Sequence, residues 1–345
     1  MESLTEKVRS GQELSSDDIS SATSSLLDES IGEVAKADFL AALAQKGETA
    51  AEIATFVNEF LQHAVQPSLN HDAIGKPLLD VCGTGGDKLN LFNVSTTSVF
   101  ILAASGIAVV KHGNRGITSK SGGADALEAL GIRIDLPPDE FAECVAEVGA
   151  GFLFAPHYHP AFKAVVPVRK RLAEQGQRSI FNILGPLLNP VRPDYQLIGV
   201  FDSALCPVFA EILQRLGRKR AWAVHGSAGE AGGMDELSTL GETSIWETRA
   251  SEINSFSLSP SDLGITPPAL DELQGGEAAE NAELITGILT GQLIGPKRDL
   301  VCLNSAAGMT ITGTVADLDE GWKAANEVID SGAAFDILQK WKAVT

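Results

Sequence analysis

The sequence predicts an α/β protein. A small N-terminal helical domain (1–74) precedes a large α/β domain (75–345) whose central sheet is mostly parallel and flanked by helices. Three observations carry this reading. The first 70 residues show helical periodicity only. From residue 77 onward, strand-like apolar runs alternate with helical patterns, as expected when helices cover a parallel sheet. Two glycine-rich loops, at 83–87 and 113–123, each follow a strand-like run and lead into a helical pattern.

The elements follow in chain order. Ser15-Ser16-Asp17-Asp18 is an N-cap cluster, and Ile19, Ala22, Leu26 and Leu27 then recur at helical spacing. A second pattern carries Phe39, Leu40, Leu43 and Ala44, and KGET at 46–49 reads as a turn and cap. The next helix spans 50–62, with Ile53, Phe56, Val57 and Phe60 on one stripe. None of these helices carries residue types suited to catalysis, so they read as a structural or dimerisation subdomain. Strands are expected at 78–81, 107–110, 151–154, 197–200, 220–224, 243–247 and 300–304. Helices are expected at 95–104, 123–130, 138–148, 160–171, 204–216, 279–290 and 318–331. The proline- and acid-containing stretch 251–278 reads as an irregular excursion.

Composition excludes several classes. With 345 residues and 44% hydrophobic content the chain can bury a sizeable core. A net charge of −19 repels nucleic-acid phosphates, while leaving room for a local cationic cluster around a small anion. Cys82, Cys144, Cys206 and Cys302 are widely spaced without a CxxC pair, which speaks for reduced thiols in a cytoplasmic protein, not a disulfide or zinc framework. The polar N-terminus lacks the apolar stretch of a signal peptide, and no apolar run is long enough to span a bilayer.

The chemistry concentrates in 80–131. Strand, glycine loop and helix together place free backbone N–H groups against a phosphate. Neither GxGxxG nor the Walker pattern GxxxxGK[ST] is present. Instead the two loops gather a carboxylate (Asp87), amides (Asn93, Asn114), hydroxyls (Ser95, Thr96, Thr118, Ser119, Ser121) and cations (Lys111, Arg115, Lys120). That mixture suits a polyphosphate sugar with a divalent ion better than a dinucleotide.

GTGGD at 83–87, NVST at 93–96, KHGNR at 111–115 and SKSGGAD at 119–125 resemble the anthranilate phosphoribosyltransferase family. The likeness continues in order through KGET, APHYHPA at 155–161, VPVR at 166–169, IFNILGPLLNP at 180–190, MDEL at 234–237, ENAELITGIL at 280–289 and LNSAAG at 303–308. It therefore covers nearly the whole chain. Single motifs are shared with pyrimidine nucleoside phosphorylases; the set points to the anthranilate enzymes.

The resemblance implies transfer of 5-phosphoribosyl from phosphoribosyl pyrophosphate to the amine of anthranilate, with Mg²⁺, in a homodimer held by the helical domain. That domain would be hinged to the α/β domain, with a later helical contribution near 160–190 and the active site in the cleft between. Residue by residue, it implies that Gly83, Gly86, Asp87, Asn93, Ser95, Thr96, Lys111, Ser119, Ser121 and Gly122 bind phosphoribosyl pyrophosphate. It assigns Gly83, His112, Asn114 and Arg169 to anthranilate, and Ser95, Asp235 and Glu236 to the metal. The reading gives His112 a positioning role, because the aromatic amine becomes acidic only once the new C–N bond forms. No side chain is expected to act as a nucleophile or proton shuttle.

Three places depart from the pattern or compete with it. Leu91 stands where the family often has a hydroxyl, so one pyrophosphate hydrogen bond is expected to be missing or supplied by Asn90. The spacing from Arg169 to Arg178 is about three residues longer than usual, which puts the orientation of Arg169 in question. His157 and His159 form an HxH pair, read as a structural loop since no third ligand follows at a suggestive spacing. The alternatives are a pyrimidine nucleoside phosphorylase, which would act on thymidine without needing Asp235 and Glu236, and a non-catalytic nucleic-acid-binding relative of the same fold.

Overall fold

The computed structural model describes residues 1–116 and 120–345. The strands are β1 (Leu78–Gly83), β2 (Ala108–Gly113), β3 (Ala150–Phe154), β4 (Tyr195–Gly199), β5 (Arg220–Ser227), β6 (Gly233–Met234), β7 (Thr243–Arg249) and β8 (Glu252–Leu258). Among the described residues they form one sheet in the order β3-β2-β1-β4-β5-β7-β8, with β6 paired to β5. The five strands from β3 to β5 along that order run parallel; β6, β7 and β8 pair antiparallel. Strand order reverses at β1, with β2 and β3 on one side and β4 and β5 on the other. In open α/β sheets the crevice beyond the carboxyl end of such a strand is where ligands bind.

Side chains along β4 and β5 alternate between two cores. Leu197, Trp222 and Val224 face one that includes the helices Val94–Ala104, Pro296–Thr312 and Ala333–Val344. Ile198, Val200, Ala221 and Ala223 face another, built from Leu205–Arg215, Val166–Glu174 and the N-terminal helices. Those N-terminal helices begin as their sequences dictate. Ser15 and Asp18 form a capping box at the start of Ser16–Leu27, and Thr49 and Glu52 form another at the start of Ala50–Gln62. Glu52 is buried and also accepts from the Leu14 N–H at 2.9 Å and from Lys46 Nζ at 2.7 Å, so KGET is a tertiary clamp as well as a cap.

The structure differs from the sequence expectations in several elements, among them the helix Ala333–Val344, which is not among the expected helices. Residues 300–304 are not a strand; they lie inside the helix Pro296–Thr312, which is buried from Leu300 to Thr312. A helix buried all round gives a continuous apolar run that periodicity cannot separate from a strand. The stretch 251–278 contains the edge strand β8, whose mostly exposed side chains give no apolar alternation. Residues 160–171 divide into a 3-10 segment, Pro160–Val165, and an α-helix, Val166–Glu174.

Candidate active site at the carboxyl ends of the strands

The segment 234–237 lies across the ends of β1 and β4, and two glycines make room for it. A Cβ on Gly83 would stand 2.6 Å from Asp235 Oδ2, and one on Gly199 would overlap the Asp235 backbone. The Gly85 N–H donates to Asp235 Oδ2 at 2.5 Å. From the opposite side Asn304 clamps the turn: its Oδ1 accepts from the Leu237 N–H at 2.9 Å and its Nδ2 donates to the Leu237 carbonyl at 3.1 Å.

This docking gathers charge. Burial, together with the negative field of Asp87, pushes the Asp235 carboxyl up. Burial and the adjacent Asp235 push Glu236 up, against the opposing pull of Lys111 and of the Ser95 backbone N–H. Lys111 is buried, and its ammonium donates to the Val81 carbonyl at 2.5 Å and to Ser95 Oγ at 3.0 Å. Asp87, Ser95, Lys111, Asp235 and Glu236, scattered over 150 positions of sequence, thus meet at one strand end. No cluster of three His, Cys, Asp or Glu side chains among the described residues forms a metal cage.

The second loop is tied to the first. Asn93 Nδ2 donates to the Ser121 carbonyl at 3.1 Å, and Asn93 Oδ1 accepts from Asn281 Nδ2 at 2.8 Å. Thr96 is buried on the same helix. Gly122 packs so closely on the backbone of Asn114 to Gly116 that no side chain fits there. Asp125 accepts from the Gly116 and Gly122 N–H groups at 2.8 and 2.9 Å. Arg115 is drawn outward into ion pairs with Asp125 and Glu128. Asn114 Oδ1 accepts from the Arg115 N–H at 2.8 Å, turning the amide toward its own loop. Thr118 and Ser119 lie outside the described residues. Leu91 is half-buried and bridges to Gln274, while the Asn90 carbonyl accepts from the Gly275 N–H at 2.9 Å.

An aromatic wall stands beside the loops. The rings of His112 and His159 meet edge to face at 5.2 Å, those of His159 and Phe162 lie tilted at 5.1 Å, and those of Phe162 and Phe181 meet edge to face at 5.8 Å. The Arg169 guanidinium lies over Phe181, 5.7 Å from its centroid, and no carboxylate among the described residues pairs with it. It is exposed, and no hydrogen bond among the described residues links it to His112 or Asn114. Burial pushes the His112 imidazole down to about 3 and that of His159 to about 4, so both are neutral at pH 7. His112 Nδ1 lies 3.2 Å from the Gly185 carbonyl, which fixes the proton there and leaves Nε2 a buried acceptor without a protein partner among the described residues.

Beneath the loops runs a polar network that reasoning from the sequence did not single out. Buried Asp80 accepts from the His112 backbone N–H at 3.3 Å, from Asn189 Nδ2 at 3.0 Å and from Gln196 Nε2 at 3.4 Å. Burial outweighs these bonds and pushes its carboxyl up to about 6. Gln196 is held in turn by Arg218 Nε at 2.9 Å. The signal for Asn189 was the motif at 180–190, and for Asn281 and Asn304 the motifs at 280–289 and 303–308. In sequence, nothing distinguishes these asparagines from surface ones.

A helical bundle joined to an α/β domain with phosphate-type loops at its strand-order reversal defines a glycosyl-transferring class. The description "Glycosyl transferase family, helical bundle domain" matches residues 2–64, and "Glycosyl transferase family, a/b domain" matches residues 75–335. An anthranilate phosphoribosyltransferase of Petrotoga mobilis is 43% identical over 97% of this chain and 94% of its own. One of Haloferax volcanii is 41% identical over 97% of both chains. The Thermus thermophilus enzyme superposes with a TM-score of 0.89 at 38% identity, covering 99% of this chain and 98% of its own. The Saccharomyces cerevisiae enzyme in complex with PRPP and Mg does so at 0.87 and 28%, covering 99% and 96%. The chain belongs to the anthranilate phosphoribosyltransferase family.

Proposed function

We propose that this protein transfers the 5-phosphoribosyl group from phosphoribosyl pyrophosphate to the amine of anthranilate, in tryptophan biosynthesis. The bond from ribose C1 to the pyrophosphate oxygen breaks, the pyrophosphate leaves with the electron pair, and the amine nitrogen forms the new bond to C1. The observation that carries the reading is the convergence of the glycine loop, Ser95, Lys111, Asp235 and Glu236 at the end of β1. A domain of residues 1–74 and another of 75–345, assembled as a cytoplasmic homodimer through the helical part, belong to the same reading.

The chain's own groups divide the work. N–H groups of the loop from Gly83 through Gly86 to Asp87 and the Lys111 ammonium face charge that grows as pyrophosphate departs, which favours the transition state over the ground state. Asn93, Thr96, Ser121 and Gly122 hold the two loops against the sugar phosphate, and the resemblance assigns Ser119, outside the described residues, to the same ligand. Gly83, His112, Asn114 and Arg169 position anthranilate. His112 Nε2, an acceptor, orients an amine N–H, and the Arg169 guanidinium suits a carboxylate. The proton leaves the nitrogen for solvent after the bond has formed. Burial and the Asp80 carboxylate hold the Cys82 thiol well above its usual range, which argues against a covalent intermediate on it.

The donor set fits magnesium. Asp235, Glu236 and the Ser95 hydroxyl are hard oxygen ligands, few in number, as an ion that also binds diphosphate requires. Burial first, and then the negative charge of Asp87 on Asp235 and of Asp235 on Glu236, pushes these carboxyl groups up, and a divalent cation would offset the charge part. When bound, the ion supplies charge neutralisation to the leaving diphosphate.

The test is loss of anthranilate fluorescence on mixing with phosphoribosyl pyrophosphate and Mg²⁺. Time-dependent loss that stops on chelation supports the reading; unchanged fluorescence with and without metal overturns it. The phosphorylase alternative is disfavoured by the Asp235-Glu236 pair beside the glycine loop, and predicts thymidine cleavage instead.

A further inference from the structure

Two cations of the glycine-rich loops are already engaged. Lys111 is bonded to Val81 and Ser95, and Arg115 to Asp125 and Glu128. Arg178 has neither an ion pair nor a hydrogen bond to any described residue. Its guanidinium lies over the face of Phe201, 4.8 Å from the ring centroid. Phe201 is itself fastened to the loop. Its backbone N–H donates to Thr84 Oγ1 at 3.1 Å, and its ring packs on Gly86, where an added Cβ would stand only 2.7 Å away.

A ring fixed to the loop therefore carries a guanidinium fixed to the ring. Stacking holds the plane of the group while leaving its N–H edges open, and such an edge makes paired, charge-assisted bonds to an oxyanion. Lys88 and Lys120 are also near these loops, but neither rests on an aromatic face among the described residues. Arg169 stacks on a different ring, Phe181, at the far end of the aromatic wall. The two stacked arginines thus stand at different parts of the site: Arg169 with the aromatic rings, Arg178 with the glycine loop.

We infer that Arg178 is an oxyanion-binding residue for the diphosphate of phosphoribosyl pyrophosphate and for the pyrophosphate product, with Phe201 as its platform. The inference rests on the transferase reading above and adds a residue to the diphosphate subsite.

The experiment measures Arg178→Gln, Arg178→Lys and Phe201→Leu in the full-length protein. Arg178→Gln is expected to raise KM for phosphoribosyl pyrophosphate and the Kd of inorganic pyrophosphate with Mg²⁺, measured by calorimetry, by about tenfold or more, the scale of a lost charge-assisted bond. KM for anthranilate should stay within about twofold of wild type, as expected for a residue outside that subsite. Arg178→Lys keeps the charge but loses the fork, and Phe201→Leu loses the platform, so each should fall between. Unchanged pyrophosphate affinity in an Arg178→Gln protein of wild-type Tm overturns the inference, and so does a rise confined to KM for anthranilate. Wild-type protein that binds pyrophosphate but turns over no anthranilate fails the transferase reading and leaves the binding comparison still decisive for Arg178.

Discussion

The side-chain amide of Asn189 donates to Asp80 Oδ2 at 3.0 Å and to the Val110 carbonyl at 2.7 Å. One buried group thereby joins β1, β2 and the segment 180–190. Asn189→Ala would leave Asp80 and a strand carbonyl short of a donor inside the core. The expected loss is about 1–3 kcal/mol, the cost of stranding buried polar groups, read from urea unfolding. Because Asp80 also accepts from the His112 backbone N–H, kcat/KM for anthranilate should fall as well. Stability and activity both at wild-type levels would show that water replaces the amide at no cost.

The clearance over Gly199 makes a second prediction. A methyl group there would occupy the place of the Asp235 backbone, with β4 and the 234–237 turn both fixed by neighbours. Gly199→Ala is therefore expected to lower kcat/KM by about 10²-fold, the scale associated with misplacing a catalytic group by an ångström. Asp235→Asn removes charge without bulk. Its activity should recover in part as Mg²⁺ is raised, whereas that of Gly199→Ala should not, and a magnesium titration of both variants distinguishes these outcomes.

The neutral imidazoles give the pH dependence its sign. His159 is held down to about 4 by burial, so between about pH 6.5 and 4 the unfolded chain binds a proton that the fold refuses. Stability therefore falls as pH falls through that window, by up to about 1.4 kcal/mol per pH unit for this group. Buried Asp80, raised to about 6, acts in the opposite direction below that pH. Comparing wild type with His159→Gln cancels the Asp80 contribution. The variant's stability should decline less steeply from pH 6.5 to 4, measured by chemical unfolding at fixed ionic strength, and parallel curves would mean that His159 titrates normally.

How much was legible in sequence depended on what each residue leaves in a one-dimensional pattern. The strands β1 to β5 were readable because buried parallel strands are short apolar runs bounded by turn residues, and GTGGD and KHGNR because glycines and polar groups cluster locally. The helix Pro296–Thr312 was misread at 300–304 because full burial erases its periodicity. The edge strand β8 was hidden by the opposite cause, since its exposed polar side chains carry no hydrophobic alternation. Asp235 and Glu236 were visible as a pair of acids, but the docking of Asp235 across the ends of β1 and β4 follows from clearances at Gly83 and Gly199. The Asp80–Asn189–Gln196–Arg218 network joins residues up to 138 positions apart, so no local spacing could reveal it.

Arg169 carries the last prediction, because the longer spacing before Arg178 left its orientation open. The structure places its guanidinium on Phe181, in ring contact with the wall that runs through Phe162 and His159 to His112. An aromatic acid lying along that wall would present its carboxylate to Arg169 and its amine toward His112 Nε2. Arg169→Ala should then raise KM for anthranilate by about tenfold or more while changing KM for phosphoribosyl pyrophosphate little, as for loss of one charged contact. Arg169→Lys should recover only part of the loss, because an ammonium cannot make the paired bonds of a planar fork. Aniline, which lacks the carboxylate, provides the control: its turnover should be the same in wild type and Arg169→Ala. Unaltered anthranilate saturation in Arg169→Ala would move the carboxylate's partner elsewhere in the cleft.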